Sequence, residues 1–133
     1  MIGVLASEEQ QETAREFFEL FKTPWEPYEE GKAYDVALCA LEVSECPNAK
    51  LTVLYGSESR SLDRDLGIAS IRQETPAVLE WKDDSLPIYL GLSTFDGLDA
   101  PFLKIKESGS VAGKRFRRAD RTVVRVGYDL FQE

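Results

Sequence analysis

The sequence predicts an α/β domain with a mostly parallel central sheet, an added β-hairpin and a basic C-terminal arm. The first observation is the run Tyr34–Leu41, which is apolar almost without a break. Such a run, without alternation, is typical of a strand covered on both faces. The second is the start of the chain, where a strand, an amphipathic helix and this buried strand form a β-α-β unit. The third is a pair of β-rich runs flanking the turn Lys82–Ser85, which favours a hairpin.

Clear signals bound the elements of the first half. Ile2–Ala6 is a short apolar strand, and Ser7 follows it with Gln10 three residues later, the spacing of a capping box at a helix start. The helix is predicted to continue to Lys22. Its apolar residues recur at helical spacing: Ala14, Phe17, Phe18 and Phe21. Trp25–Tyr28 contains one proline and follows another, which favours an extended, short edge strand.

The second half is predicted to be rich in strands. Leu51–Tyr55 is a strand that ends at a Gly-Ser pair, and Glu58–Ala69 is a short helix or an irregular turn. The predicted hairpin joins Ala77–Trp81 to Leu86–Leu92. Two further runs alternate apolar and basic residues and are expected to be partly exposed strands that pair across a basic loop: Phe102–Lys106 and Val123–Val126.

Charge is distributed unevenly along the 133 residues, whose net charge is −8. Residues 1–103 carry 8 basic and 20 acidic side chains, whereas residues 104–125 carry 8 basic and 2 acidic ones. The acidic body argues against non-specific binding to nucleic acid. No apolar run is long enough to cross a bilayer, so neither nucleic acid nor membrane is an expected partner.

The chain has no histidine, which excludes Ser-His-Asp and Cys-His catalytic systems and every zinc site that needs histidine. We therefore expect no catalysis, no metal and no cofactor in this chain. The carboxylate pairs, such as Asp63 with Asp65, fit a solvated surface better than a metal site. Cys39 falls in the buried strand and Cys46 in a loop; two thiols without a leader peptide favour the cytoplasm.

A ligand crevice is predicted at the carboxyl ends of the strands, where parallel sheets bind ligands. Small polar residues that follow or lie near those ends are its candidate binding residues: Ser7, Gly56, Ser57, Ser93 and Thr94. No phosphate-binding glycine motif accompanies them. Ordinary turn geometry is the simpler explanation of Gly56-Ser57, and the ligand crevice is kept as the alternative.

The basic stretch Gly113–Arg121 has one aromatic residue among five cations. It is interpreted either as a solvated loop or as a docking surface for an acidic protein or a neighbouring domain. Its candidate docking cations are Lys114, Arg115, Arg117 and Arg118.

The segment Gly127-Tyr128-Asp129-Leu130-Phe131 resembles an element of bacterial proteins related to polysaccharide deacetylases. In that family a basic, extended stretch leads to this element, which begins a helix before the deacetylase-like domain. The resemblance implies that residues 1–126 are a single non-catalytic N-terminal α/β domain and that residues 127–133 start a truncated linker helix. The metal-binding catalytic module would then lie beyond residue 133, since its Thr-x-Asp-Asp and His-x-x-x-His motifs are absent here.

The β-α-β start also resembles flavodoxin-like and class I amidotransferase scaffolds, although the amidotransferase Gly-x-Cys-x-Gly motif is missing. The expected function is an accessory or interaction domain of a deacetylase-like protein. Tyr128, Leu130 and Phe131 would add an apolar face to the basic docking residues, and oligomerisation is left open. The alternative is a sensor that binds a small molecule or nucleotide in the strand-end crevice.

Overall fold

The computed structural model describes residues 1–43, 47–58, 62–63, 67–95, 101–106, 108–118 and 121–130. The elements whose bounds are described are one helix, α1 (Glu8–Leu20), and eleven strands. The strands are β1 (Ile2–Leu5), β2 (Trp25–Pro27), β3 (Tyr34–Cys39), β4 (Ala49–Tyr55), β5 (Ser70–Gln73), β6 (Ala77–Trp81), β7 (Asp84–Ile88), β8 (Leu92–Phe95), β9 (Pro101–Ile105), β10 (Val111–Arg118) and β11 (Arg121–Val126). All eleven belong to one mixed sheet.

Five strands form a parallel block in the order β2-β1-β3-β4-β11. The parallel pairing of β1 with β3, with α1 between them in the chain, gives the predicted β-α-β unit. The short strand β2 lies at the edge of the block, as predicted for the segment Trp25–Tyr28. The last strand of the chain, β11, completes the block by pairing with β4 rather than with a strand close to it in sequence.

The remaining strands are antiparallel. β10 pairs with β11, and the sheet continues through β9 and β6 to β7. The predicted hairpin is present as β6 and β7, joined by a two-residue turn in which Lys82 has a φ of 54°. Strand β8 also pairs with β10 and carries β5 on its other side.

The prediction of a mostly parallel α/β fold, flavodoxin-like or amidotransferase-like, is therefore wrong. About half of the described residues lie in strands, α1 is the one helix whose bounds are described, and six of the ten strand pairings are antiparallel. The reason lies in the crossovers. The connection from β3 to β4 includes no described helix, and the connection from β4 to β11 is built largely of antiparallel strands.

The basic C-terminal arm is also a wrong prediction, because its residues form β10 in the middle of the sheet. Burial alternates along this strand: Lys114 and Phe116 are buried, whereas Arg115 and Arg117 are exposed. Consecutive cations conceal this period-two pattern in the sequence. Phe102–Lys106 and Val123–Val126 consequently do not pair with each other, because β10 lies between them.

Helix α1 begins and ends with defined caps. The Ser7 hydroxyl oxygen accepts from the Gln10 N–H at 3.3 Å, as predicted for the helix start. At the other end the Thr23 N–H donates to the Phe18 carbonyl oxygen and the Lys22 N–H to that of Glu19. With Lys22 at a φ of 51°, this is a Schellman motif that stops the helix before Pro24.

Candidate functional site

The carboxyl ends of β4 and β11 meet at the edge where the sequence predicts a ligand crevice. Gly56 and Ser57 follow β4, and Gly127 follows the neighbouring β11. The Gly56 N–H donates to the carbonyl oxygens of Val126 and Tyr128, at 3.2 and 3.0 Å. The two strand ends are thus joined directly by backbone hydrogen bonds.

Ser93 reaches the same edge, but its polar groups are used inside the fold. Its hydroxyl donates to the Ser57 carbonyl oxygen at 2.5 Å, and its N–H donates to the Gly127 carbonyl oxygen at 2.8 Å. A Cβ on Gly127 would lie 1.9 Å from the Ser93 carbonyl oxygen, so this crossing requires glycine. The neighbouring Thr94 is also buried, and its hydroxyl oxygen accepts from the Gln73 amide at 2.8 Å.

Ser7, the remaining predicted binding residue, is exposed and caps α1. Gln10 does not complete the capping box. Its side-chain amide donates instead to Asp129 Oδ2 at 2.5 Å, which ties the start of α1 to the segment after β11. The structure therefore assembles the predicted residues along one edge and uses most of their polar groups to hold the strand ends together.

Sequence reasoning missed the side chain that organises this edge, Arg125 of β11, which is fully buried. Its guanidinium donates to four oxygens at 2.5 to 2.9 Å: Asp63 Oδ1 and the carbonyl oxygens of Gly56, Glu58 and Val126. Its Cζ lies 4.7 Å from the centre of the Phe95 ring. The sequence signal that could have shown its burial is the alternation of side chains along β11. Arg125 lies two residues after the apolar Val123 and therefore on the same face of the strand.

A cavity of about 460 Å³ lies beside β6 and β9. None of its lining residues is among the predicted site residues; they are Gln73, Glu74, Pro76, Ala77, Val78, Ile105, Lys106 and Ser108. The predicted crevice and this cavity share no residue.

The predicted docking residues fall into different environments. Lys114 is buried, with its Nζ 5.9 Å from the centre of the Phe116 ring, whereas Arg115 and Arg117 are exposed. Tyr128 and Leu130 are half-buried and pack against the protein's own core. The Arg118 side chain and Phe131 lie outside the described residues. The two described apolar residues thus cover this chain's core.

The two faces of the parallel block differ in how well they are covered. On the face opposite α1, the middle and carboxyl-terminal positions of β3, β4 and β11 are almost completely buried, whereas Asp35, Lys50 and Arg121 near the strand starts are exposed. The buried residues are Ala37, Cys39, Thr52, Leu54, Val123 and Arg125. On the α1 face, part of β3, β4 and β11 is only half-buried. We call this part the open sheet face; its residues are Val36, Leu51, Val53, Thr122 and Val124.

Helix α1 borders the open sheet face on one side. Phe18 stacks on Trp25 of the edge strand β2, with ring centres 5.9 Å apart. The side of α1 that carries Phe18 therefore faces the β2 edge of the sheet. Gln10, in the first turn of α1, reaches Asp129 beyond β11. Phe17 lies seven residues from Gln10 and therefore on the same side of α1, from which we infer that it adjoins the open sheet face.

Two cations border the open sheet face on its other side. In the antiparallel register of β10 and β11, Arg115 lies opposite Val124 and Arg117 opposite Thr122. Residues directly opposite each other share a face of the sheet. The open sheet face is therefore a largely apolar surface. It has an aromatic border on α1 and a cationic border on β10.

The groups with shifted pKa values lie at another place, around the edge strand β2. Hydrogen bonds from Lys32 and Tyr34 lower the pKa of Glu26, and the bond to Glu26 raises the pKa of Lys32. Burial raises the pKa of Tyr34. A hydrogen bond from the N-terminal amine lowers the pKa of Asp35. These contacts pin β2 and the chain start to β3.

No family model matches the chain, and no curated protein matches it. Within the part of the chain that the structure describes, no helix has the length and apolarity needed to span a membrane. The same residues contain no cluster of three or more Cys, Asp or Glu side chains that could hold a metal ion.

Proposed function

We propose that this chain is a non-catalytic interaction domain that docks through the open sheet face. The main observation behind this proposal is that the residues on the two faces of the parallel block differ in burial. The face opposite α1 is buried at the middle and carboxyl-terminal positions of β3, β4 and β11, whereas the α1 face keeps Leu51, Val53 and Val124 half-buried. Parallel sheets are normally covered on both faces, so a partner that completes the layer gains apolar burial.

The resemblance of Gly127–Phe131 to deacetylase-related proteins supports a host for this domain, namely a longer polysaccharide-deacetylase-like protein. In that arrangement catalysis belongs to another domain, and this domain contributes contacts. A cytoplasmic location is part of the proposal. It is supported by Cys39, which is buried and whose Sγ donates to the Leu41 carbonyl oxygen at 3.4 Å.

Docking is better supported than the alternative of a ligand sensor at the strand ends. A sensor would present hydroxyl and backbone groups to a ligand. Here the Ser93 hydroxyl, the Thr94 hydroxyl and the Gly56 N–H are engaged in hydrogen bonds within the fold. A ligand at this edge would have to break those bonds before it could make its own.

Photo-crosslinking in the cells that make the protein tests the proposed function. A photoreactive phenylalanine analogue replaces Phe17, on the border of the open sheet face. The matched control carries it at Tyr89, another exposed aromatic residue in the antiparallel half. We expect a discrete adduct of higher mass from position 17 and none from position 89. Absence of an adduct from position 17, or equal adducts from both positions, contradicts the proposal.

A further inference from the structure

Helix α1 exposes a contiguous group of large apolar side chains beside the open sheet face. Leu20, Phe21 and Phe17 are 76%, 62% and 48% exposed. The rings of Phe17 and Phe21 are in contact, with centres 4.9 Å apart. Single exposed apolar residues are ordinary, but adjoining ones together mark an interaction surface. We call Phe17, Leu20 and Phe21 the apolar strip of α1.

Carboxylates lie next to this strip on the same helix. Glu16 is four residues before Leu20, and Glu9 is seven residues before Glu16, so all three share one side of α1. Both glutamates are exposed. The outward side of α1 is therefore an amphipathic helix surface with an acidic flank.

The open sheet face has the complementary chemistry. Its valines and leucine are half-buried, with Val53 and Val124 also packed against the chain's own core, and its border on β10 carries the exposed Arg115 and Arg117. Neighbouring strands are about 4.8 Å apart, so β3, β4, β11 and β10 together span about 14 Å. A helix with its side chains is about 10–12 Å wide. The space beside α1 thus has the width of one further helix.

We propose that the occupant of the open sheet face is a second copy of this chain, which places its own α1 there. The inference rests on the proposed function, because it names the partner of the same docking face. Each copy has both parts of the contact, so two contacts form about a two-fold axis in a closed dimer. In it the apolar strip of α1 covers the partner's open sheet face, and the glutamates approach the partner's arginines.

Charge exchange between two variants tests this arrangement with purified protein. The first variant carries Arg115→Glu and Arg117→Glu, and the second carries Glu9→Lys and Glu16→Lys. Alone, each variant places like charges at both contacts of the dimer. Mixed in equal amounts, the two variants restore opposite charges at both contacts of a heterodimer.

Sedimentation velocity from 1 to 500 μM is the measurement. We expect the wild type to dimerise as concentration rises, each variant alone to dimerise at least tenfold more weakly, and the mixture to recover the wild-type affinity. Leu20→Ser, which removes only apolar contact, should also weaken the dimer at least tenfold. Far-ultraviolet circular dichroism confirms that each variant is folded, and all changed positions are exposed.

A wild type that stays monomeric to 500 μM overturns the proposal, as does a dimer that is indifferent to the arginine variant or not recovered in the mixture. These failures differ from a failure of the proposed function. A monomeric purified protein that still gives an adduct from position 17 in cells keeps the docking face and excludes the second copy as its occupant. Absence of both dimer and adduct removes the docking face itself.

Discussion

At the scale of single residues, the buried ion pair between Arg125 and Asp63 determines how the segment after β4 is held. The Nε–Oδ1 distance is 2.8 Å, and both side chains are almost completely buried. Moving a guanidinium and a carboxylate out of water costs several kcal/mol per ion. Here the cost is offset by the pairing and by the carbonyl oxygens of Gly56, Glu58 and Val126.

Replacing Arg125 with methionine should therefore destabilise the protein strongly. The change leaves Asp63 as a buried carboxylate without its cation and removes the donor from two loop carbonyl oxygens, at a cost of about 3–5 kcal/mol. Urea denaturation gives the free energy of unfolding. The matched control is Arg72→Met, which removes an exposed pair with Glu58 at 3.1 Å and should cost at most about 1 kcal/mol.

Adding Asp63→Leu to Arg125→Met provides a second check. If the carboxylate is the source of the loss, the double variant is more stable than the Arg125→Met single variant, because no unpaired charge stays buried. Equal costs for Arg125→Met and Arg72→Met would contradict the central role of the buried pair.

The residue types alone do not show which basic side chains are buried and which are exposed. Lys114 is predicted from sequence to be a docking cation like Arg115 and Arg117, yet it lies beside Arg125 on the buried face. Only the strand register shows which cation points inward. By contrast, the role of Ser7 followed from local spacing, because a helix cap depends on neighbours a few residues away.

At the scale of elements, the edge strand β2 shows how a three-residue strand is kept in place. Glu26 in the middle of β2 accepts from Lys32 Nζ at 2.5 Å and from the Tyr34 hydroxyl at 2.8 Å. The pKa of Glu26 is lowered from 4.5 by these two bonds. The strand is thus tied to β3 by a charged side chain as well as by its backbone pairing with β1.

This lowered pKa gives a pH dependence of defined sign. A carboxyl group whose pKa is lower in the folded state stabilises the fold above its unfolded pKa, about 4.5, and loses that contribution as pH falls through the folded pKa. We expect Glu26→Gln to lose less stability than the wild type between pH 6 and pH 3, measured by urea denaturation. Lys32→Met, which removes the main partner, should flatten the profile in the same direction. Profiles parallel to that of the wild type in both variants would refute the assignment.

Elements with a strong local pattern were predicted well, and those defined by distant pairing were not. Strand β1, helix α1 and strand β3 have apolar runs and caps that the sequence shows directly. Strand β10 was interpreted as a loop because consecutive cations mask its alternation. Strand β5, whose sequence is Ser-Ile-Arg-Gln, has little apolar pattern of its own and is defined by its pairing with β8.

At the scale of the whole molecule, the position of β11 joins the parallel and antiparallel parts. It pairs with β4 on one side and with β10 on the other, although 65 residues separate Tyr55 from Arg121 in the chain. Such pairing between distant segments cannot be recognised from local sequence, which is why the fold class was predicted wrongly. It also means that neither part of the sheet has its full set of strands without the other.

The shared strand predicts that both parts unfold in one cooperative transition. The two tryptophans report on different parts: Trp25 lies in β2 of the parallel block and Trp81 in β6 of the antiparallel hairpin. Trp81→Phe and Trp25→Phe leave one reporter each. In each variant, fluorescence and circular dichroism should give the same midpoint in urea, because loss of β11 from one part removes it from the other. A Trp81 signal that changes at lower urea than the circular dichroism would instead show that the hairpin end of the sheet unfolds independently of the parallel block.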